Sequence, residues 1–235
     1  MERVRLWIGK AREGFKVVGR PVVTLSYAQS IDGCLTVRRG QPYAISGEES
    51  LKVTHTLRTL HDAIVVGVGT VLADNPRLNV RFAEGPDPRP VVLDSHLRIP
   101  LDSKLLAQSE NLPWVACGPS ADEEKWVELE RRKVRLLNCR PNREKQIDLA
   151  DLLAQLYQSG IRSVMVEGGA GVVTSFLEAQ LVDLAVITVA PIWLGGLRVV
   201  ERELPDEARL GLENPQSGWF GKDLVLWGAV RRRVE

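Results

Sequence analysis

Short apolar runs alternate along this chain with stretches in which apolar residues recur every three or four positions. The run Ala63–Val68 is apolar on both faces, which is typical of a strand buried inside a parallel sheet. Similar runs, rich in β-branched residues, predict the remaining strands. The predicted strands are Val22–Ala28, Ala63–Val68, Pro90–Asp94, Pro113–Cys117, Val134–Leu137, Ser163–Glu167, Leu184–Ala190 and Asp223–Val230.

The stretches between these runs have the apolar spacing of amphipathic helices. Ser46, three residues ahead of Glu49, predicts a capping box at the start of the first helix, and Gly160 has the position of a glycine just past the third. Strand–helix alternation predicts an α/β fold with a mostly parallel central sheet, helices on both faces and a last strand that joins antiparallel. The predicted helices are Glu48–Leu60, Asp122–Lys133, Leu149–Ser159 and Gly171–Ala179.

We expect one domain, with residues 21–230 as its core and residues 1–20 as an N-terminal extension. The stretch from Arg81 to Pro90 is rich in Pro and Gly, so a domain linker is one interpretation. The apolar runs on either side of it are typical of one sheet, however, and a surface loop is the preferred interpretation.

Composition narrows the possible functions. The chain has 31 Lys and Arg against 30 Asp and Glu, a net charge of +1, so we expect no nucleic-acid partner. No apolar run is long enough for a membrane span, and the N-terminus lacks a signal-peptide pattern. Cys34, Cys117 and Cys139 are widely spaced, which predicts free thiols and a cytoplasmic protein. With only three histidines, none near a cysteine, we expect no metal site.

The strongest local signal is the segment Val164–Ser175. A predicted strand ends at Glu167, passes through Gly168, Gly169 and Gly171, and opens into a helix. Glycines let the backbone approach a phosphate, and the free amides of a first helical turn point at it. The spacing is neither the Rossmann fingerprint nor a P-loop, and a tight turn that needs glycine for geometry alone explains it equally well.

Two further strand ends carry polar residues. After Gly67 comes Thr70, then Asp74-Asn-Pro-Arg77; the alternative is a helical turn capped by Thr70 and closed by a turn at Asn75 and Pro76. The first strand runs into Asp32-Gly33, a turn signal. If all three ends share one edge of a parallel sheet, they form a single cleft suited to a dinucleotide and a phosphorylated small molecule.

At these segments the sequence resembles the reductase domain of riboflavin biosynthesis, a family whose fold is similar to that of dihydrofolate reductase. The resembling blocks follow the family's order and spacing over roughly residues 20–230. They are Ala28–Gly33, Ile45–Glu49 with His55–Arg58, Gly67–Arg81, Val92–Ser95, and Val166–Gly171 with Leu181–Asp183 and Ala190-Pro191.

The resemblance implies NADPH-dependent reduction of a ribosylamino-pyrimidine 5′-phosphate to its ribitylamino counterpart. It places Arg58, Leu78, Arg81 and Glu167 near the substrate, with Arg58 and Arg81 as partners of the phosphate. Glu167 and Asp74 are candidates for orienting the reactants, and no catalytic residue is assigned. The cofactor-contacting positions it implies are Ala28, Thr70, Asp74, Ser95, Gly169, Ala170, Gly171, Val172, Val173, Thr174 and Ser175.

The chain departs from the family pattern at two places. Bifunctional bacterial members have Ser and Trp where Pro42 and Ala44 stand here, which puts the identity of the substrate in question. The zinc deaminase domain of those members is not expected in this chain. Two alternatives remain open: a pteridine or dihydrofolate-type reductase on the same fold, and a non-catalytic NADP-binding sensor.

The late strands also predict an assembly. Leu184–Ala190 and Leu224–Val230 are strongly apolar, and Trp193 and Trp227 lie in or beside them with few charges nearby. Family members are similar in forming dimers through this part of the sheet, so we expect a C2 homodimer. The alternative is that both strands are buried within the monomer.

Overall fold

A computed structural model describes residues 2–14, 19–41, 43–108 and 110–232. In it, a nine-stranded sheet with the order β10-β11-β8-β1-β7-β3-β4-β5-β6 forms the centre of the protein. Strands β8 through β6 of this order run parallel, whereas β11 pairs antiparallel with β8, and β10 with β11. The large strands are β1 Val22–Ser30, β3 Ala63–Gly67, β4 Arg89–Leu93, β5 Trp114–Cys117, β6 Arg135–Asn138, β7 Ser163–Val166, β8 Leu184–Ala190, β10 Leu210–Phe220 and β11 Asp223–Arg232.

The sheet confirms the predicted fold class and all eight predicted strands, including the antiparallel last one. The small pair β2 (Cys34–Thr36) and β9 (Leu197–Arg198) was not predicted, because each strand is too short to carry a pattern. Strand β10 was missed because it is polar and carries Asn214 and Pro215 at an irregular register, as an exposed edge strand allows. The helices are α1 Glu2–Gly14, α2 Glu48–Thr59, α3 Val68–Asp74, α4 Glu123–Arg131, α5 Leu149–Gln158 and α6 Ala170–Glu178.

The N-terminal extension contains a helix, α1, that the sequence did not predict. Its Val4 and Ile8 are buried against α2 and the sheet, with relative exposures of 1% and 0%. Arg12 in its last turn donates from Nη2 to Ser163 Oγ at 2.8 Å. Charges interrupt the sequence of this helix, so its periodicity is weak, and contact with the sheet rather than propensity holds it in place.

The capping box predicted at Ser46 is wrong. Helix α2 has Gly47 as its N-cap, and no side chain of its own segment caps it. The carboxylate of Asp223, at the start of β11, takes that role: its Oδ2 accepts from Gly47 N–H at 2.7 Å and from the Ser50 hydroxyl. Asp223, far away in sequence, thus adds its negative charge to those of Glu48 and Glu49 in the first turn of α2.

Helices cover both faces of the sheet. Helices α5 and α6 pack on the face that contains Val65, whereas α3 and α4 pack on the opposite face with Val66. Helices α1 and α2 cover another part of the same face as α3 and α4, where they pack against Met165 and Trp227. Neighbouring residues of one strand thus supply two separate cores, which explains why the central strands are apolar throughout.

Strands β7 and β3 are parallel neighbours in the sheet, but the chain leaves them toward opposite sides of the sheet. From β3 the chain continues through α3 to β4, whereas from β7 it continues through α6 to β8 on the other side of β1. Helices α3 and α6 therefore leave adjacent strands toward opposite faces. Such a switch point leaves a crevice at the carboxyl edge of a parallel sheet, where ligands of α/β proteins bind.

The apolar late strands are buried on one face of the sheet, whereas Ile187 and Val189 of β8 and Leu224 and Leu226 of β11 are only partly buried, so the dimer interface expected there stays a prediction. Strand β8 lies between β1 and β11, and Trp227 is 1% exposed beneath α2. The exposed tryptophans lie elsewhere: Trp193 between β8 and β9 at 76%, and Trp219 on the edge strand β10 at 69%.

Candidate functional site

The three strand ends that carry the sequence motifs lie together. Strands β1, β7 and β3 are parallel neighbours, so Ser30, Val166 and Gly67 end at the same edge of the sheet. Strand β4 adjoins β3 and brings Ser95 to that edge as well. Ala28 lies near the end of β1, half-buried and opposite Thr188 of β8. The shared edge inferred from the sequence is therefore confirmed.

The crevice lies between the first turns of α3 and α6. Both helices have a glycine N-cap without a side-chain cap bond, Gly67 for α3 and Gly169 for α6, which leaves the first amides of α6 available to an anion. A Cβ built on Gly169 would meet only Thr70 Oγ1, at 3.7 Å. The two turns thus lie side by side, with room for a side chain at Gly169 in van der Waals contact with Thr70.

The other glycines of these turns serve packing. A Cβ on Gly168 would lie 2.4 Å from Val172 Cβ, and one on Gly67 would lie 2.8 Å from Val172 Cγ2. Both distances are shorter than real contacts, so these glycines allow α6 to pack closely on the end of β3. Tight geometry therefore explains Gly168 and Gly67 but not Gly169, for which phosphate approach stays a prediction.

Only part of the predicted cofactor stretch faces the crevice. Ala170, Val173 and Thr174 are buried, and Thr174 Oγ1 accepts from Glu201 N–H at 3.0 Å. The N–H of Val173 donates to the carbonyl of Gly169 at 3.1 Å, so of these three residues only Ala170, in the first turn, has a backbone amide left for a ligand. Gly169, Gly171, Val172 and Ser175 are partly exposed.

A buried ion pair stands at the end of β7. Arg58 of α2 donates from Nε and Nη2 to the two carboxylate oxygens of Glu167, at 2.8 and 2.7 Å. The side chains are only 10% and 15% exposed. Burial works against the charge of Arg58, but the Glu167 carboxylate outweighs it and raises the pKa of the guanidinium above its ordinary value.

The loop after α3 is tied to this ion pair. Asn75 is the C-cap of α3 and has left-handed backbone (φ 42°). This agrees with the alternative interpretation, in which a turn at Asn75 and Pro76 closes the helix. Leu78 has φ 55° and is 4% exposed, so its side chain anchors the loop in the core instead of facing solvent. Arg58 Nη1 donates to the carbonyl of Asn79 at 2.8 Å. Arg81 is exposed beyond this anchor, with Nη1 2.7 Å from Asn79 Oδ1.

His55 belongs to the site as well, although it was assigned no role from the sequence. Its ring is fully buried, and Nδ1 accepts from the backbone N–H of Arg81 at 3.0 Å. A signal for it did exist, since His55 and Arg58 are three residues apart and so share one face of α2.

Other predicted residues lie at the rim or outside the described ranges. Asp74 is exposed at the end of α3, and the second departure from the family pattern, Ala44, is exposed too. Pro42 is not among the described residues. Thr70 lies within α3, which begins at Val68, so the interpretation of Thr70 as its N-cap is wrong.

Cys34, Cys117 and Cys139 are all buried free thiols, as predicted. None of the helices in the described ranges is long and apolar enough to cross a bilayer. Within those ranges, no three His, Cys, Asp or Glu side chains are grouped as metal ligands.

Comparison with known proteins agrees with this geometry. The family model described as the RibD C-terminal domain matches residues 21–226. The chain is 38% identical over 188 residues to the 2,5-diamino-6-ribosylamino-4(3H)-pyrimidinone 5′-phosphate reductase of Archaeoglobus fulgidus, covering 75% of this chain and 83% of that protein. It is 37% identical over 221 residues to the protein of the same name from Methanothermobacter thermautotrophicus, covering 90% and 99%.

Solved structures extend the likeness to the fold. The riboflavin biosynthesis reductase Rib7 of Saccharomyces cerevisiae superposes with a TM-score of 0.73 at 31% identity, covering 92% of this chain and 93% of that one. RibD of Acinetobacter baumannii gives a TM-score of 0.77 at 27% identity, covering 91% of this chain and 59% of that one.

Proposed function

Because this chain belongs to the RibD C-terminal domain family, we propose that it is a reductase of riboflavin biosynthesis. The reaction we propose is the NADPH-dependent reduction of a ribosylamino-pyrimidine 5′-phosphate to its ribitylamino product. Two archaeal relatives are named for the 2,5-diamino-pyrimidinone substrate, which favours the pyrimidine before deamination. The structural observation that carries the proposal is the ion pair of Arg58 and Glu167, which stands directly beside the open crevice at Gly169.

The cofactor fits the crevice between α3 and α6. The amides of the first turn of α6 suit the pyrophosphate, and Thr70 lies beside that turn. When bound, NADPH supplies the hydride that reduces C1′ of the opened ribosylamine. The chain itself contributes the orientation of the two reactants and the exclusion of water between them.

The end of β4 favours NADPH over NADH. An acidic residue at such a strand end binds the ribose 2′-hydroxyl of NAD. Here the Asp94 carboxylate is fully buried: its Oδ2 accepts from Ile99 N–H at 2.7 Å, and its Oδ1 lies 3.5 Å from Nε of the exposed Arg98, so it is not free to bind a ribose hydroxyl. Ser95, His96 and Arg98 are the partly or fully exposed residues at this end, and their chemistry suits a 2′-phosphate.

Glu167 and Arg58 hold the substrate side. The guanidinium of Arg58 uses three of its five N–H groups within the protein, two on Glu167 and one on Asn79. Arg58 therefore fixes the Glu167 carboxylate, which is placed to accept hydrogen bonds from ribityl hydroxyls or the pyrimidine edge. Arg81, exposed and free of any ion pair with a described carboxylate, is the better partner for the substrate phosphate.

Arg81→Ala should raise the KM for the phosphorylated substrate about ten- to a hundredfold, while the Kd for NADPH stays within about twofold. The reason is the loss of charge-assisted hydrogen bonds worth about 1.5–3 kcal/mol. Steady-state kinetics with the phosphorylated and the dephosphorylated substrate provide the measurement. Arg131→Ala, which removes an exposed arginine of α4, is the matched control. An equal loss with both substrates would show that Arg81 does not contact the phosphate.

We also propose a C2 homodimer, with the edge strand β10 at its interface beside the late strands β11 and β8. Strand β10 is an 11-residue edge strand that presents Trp219, and long edges of this kind are rarely left uncovered. Light scattering at micromolar concentration should give the mass of two chains, and Trp219→Glu should shift it toward one. A single monomer-sized species for the unaltered protein would refute the dimer.

A further inference from the structure

His55 makes a contact that the proposed reaction does not use. It lies in the middle of α2 with an exposure of 0%, yet its ring Nδ1 bonds to a backbone group outside the helix, the N–H of Arg81. Because that N–H is a donor, Nδ1 must be the unprotonated nitrogen, and the ring hydrogen is on Nε2. The contact therefore requires the neutral ring in one tautomer.

The environment of the ring keeps it neutral. Burial, and after it the positive charges of Arg58 and Arg81, lower the pKa of His55 to about 4. Its Nε2 has no partner among the described residues. A buried N–H without an acceptor is unfavourable, so an apolar residue would be the more stable occupant if this position only filled space. What histidine adds here is the acceptor for Arg81.

Helix α2 holds the loop at two points. One helical turn after His55, Arg58 donates to the carbonyl of Asn79 at 2.8 Å. Between these points, the N–H of Val80 donates to Asp87 Oδ1 at 2.6 Å. Three consecutive residues thus each have one backbone group fixed, although all three lie in a loop without regular structure.

The ring also supports the next residue. The rings of His55 and Phe82 meet edge to face with their centroids 4.8 Å apart, and the guanidinium of Arg81 lies 5.7 Å from the Phe82 ring centroid. His55 therefore contacts the loop on both sides of the Arg81 Cα: it accepts from the Arg81 N–H on one side and packs against the Phe82 ring on the other.

We propose that His55 is a positioning residue, which fixes the backbone at Arg81 and thereby aims the Arg81 guanidinium at the phosphate of a phosphorylated sugar. This inference rests on the proposed function only in identifying that phosphate as part of the substrate. Fixing the backbone lowers the entropy that Arg81 loses when it binds an anion.

Three variants separate the role of His55 as a hydrogen-bond acceptor from its role in packing against Phe82. His55→Asn places Oδ1 close to the position of Nδ1 and should retain the bond to Arg81. His55→Phe retains a ring against Phe82 but has no acceptor, and His55→Gln offers its oxygen nearer to the position of Nε2. The probe is ribose 5-phosphate, titrated by calorimetry, with ribose as the control.

We expect the Kd for ribose 5-phosphate to rise about five- to tenfold in His55→Phe and His55→Gln, and to stay within about twofold in His55→Asn. On an Arg81→Ala background, His55→Phe should add no further loss, since both changes remove the same contact. Unchanged affinity in both His55→Phe and His55→Gln, an additive loss, or no binding of ribose 5-phosphate by the unaltered protein would overturn the proposal. If His55→Phe does not fold, His55→Gln alone decides between these results.

Failure of the proposed function would look different. In that case the protein would not oxidise NADPH with the ribosylamino-pyrimidine phosphate, while the pattern of ribose 5-phosphate affinities among the His55 variants would persist.

Discussion

Gly169→Val should leave the protein folded and weaken NADPH binding by at least about a hundredfold. Gly169 has φ −69° and ψ 178°, a conformation that valine adopts readily. A Cβ there meets only Thr70 Oγ1, at the van der Waals distance of 3.7 Å, so the fold accepts the side chain, which then stands beside the first amides of α6. It would displace the phosphate from the amides of α6, and the loss of two charge-assisted bonds of about 1.5–3 kcal/mol each gives the expected factor.

Calorimetric titration with NADPH measures this effect, and thermal unfolding checks the fold. Gly211→Val is the matched control, because Gly211 lies in β10 with nothing within 4 Å of a built Cβ and is remote from the crevice. Unchanged NADPH affinity in Gly169→Val would show that the cofactor does not bind at this turn.

Glu167→Ala should have the second large effect, lowering the free energy of unfolding by about 3 kcal/mol and abolishing measurable turnover. Removing one partner of a buried ion pair leaves the other charge uncompensated, which costs about 3–5 kcal/mol. We expect the lower end, because Arg58 and Glu167 retain 10% and 15% exposure. Urea denaturation at neutral pH measures the stability, and NADPH oxidation measures the turnover.

The double variant Arg58→Met/Glu167→Leu separates these two consequences. Apolar replacement of both partners of a buried pair is often close to neutral for stability. The double variant should therefore regain most of the lost stability and none of the turnover. Recovery of turnover together with stability would mean that the pair serves the fold alone.

The sequence predicted the parts of the site that depend on strand ends. In a parallel sheet every carboxyl end lies at one edge, so the segments after β1, β3 and β7 had to meet once their strands were identified. The same reasoning identified Gly169 and Thr70, although only the structure shows that they lie side by side. The strand pattern was clear because the central strands are buried on both faces.

The contacts between distant side chains could not be predicted. Arg58 and Glu167 are 109 positions apart, and no local pattern reports that an arginine on a helix will meet a carboxylate after a strand. The same holds for Asp223 as the cap of α2 and for His55 as the acceptor for Arg81. Each depends on how helix α2 docks on the sheet, which periodicity does not specify.

In the function we propose, the crevice holds both NADPH and the phosphorylated pyrimidine in reacting positions. The most direct test of this claim mixes purified protein with NADPH and 2,5-diamino-6-ribosylamino-4(3H)-pyrimidinone 5′-phosphate, while absorbance follows NADPH oxidation and mass spectrometry follows the pyrimidine. We predict one NADPH consumed for each ribitylamino product formed, and no oxidation without the pyrimidine. Tight NADPH binding with no oxidation on adding the pyrimidine would contradict the claim and leave a nucleotide-binding sensor in its place.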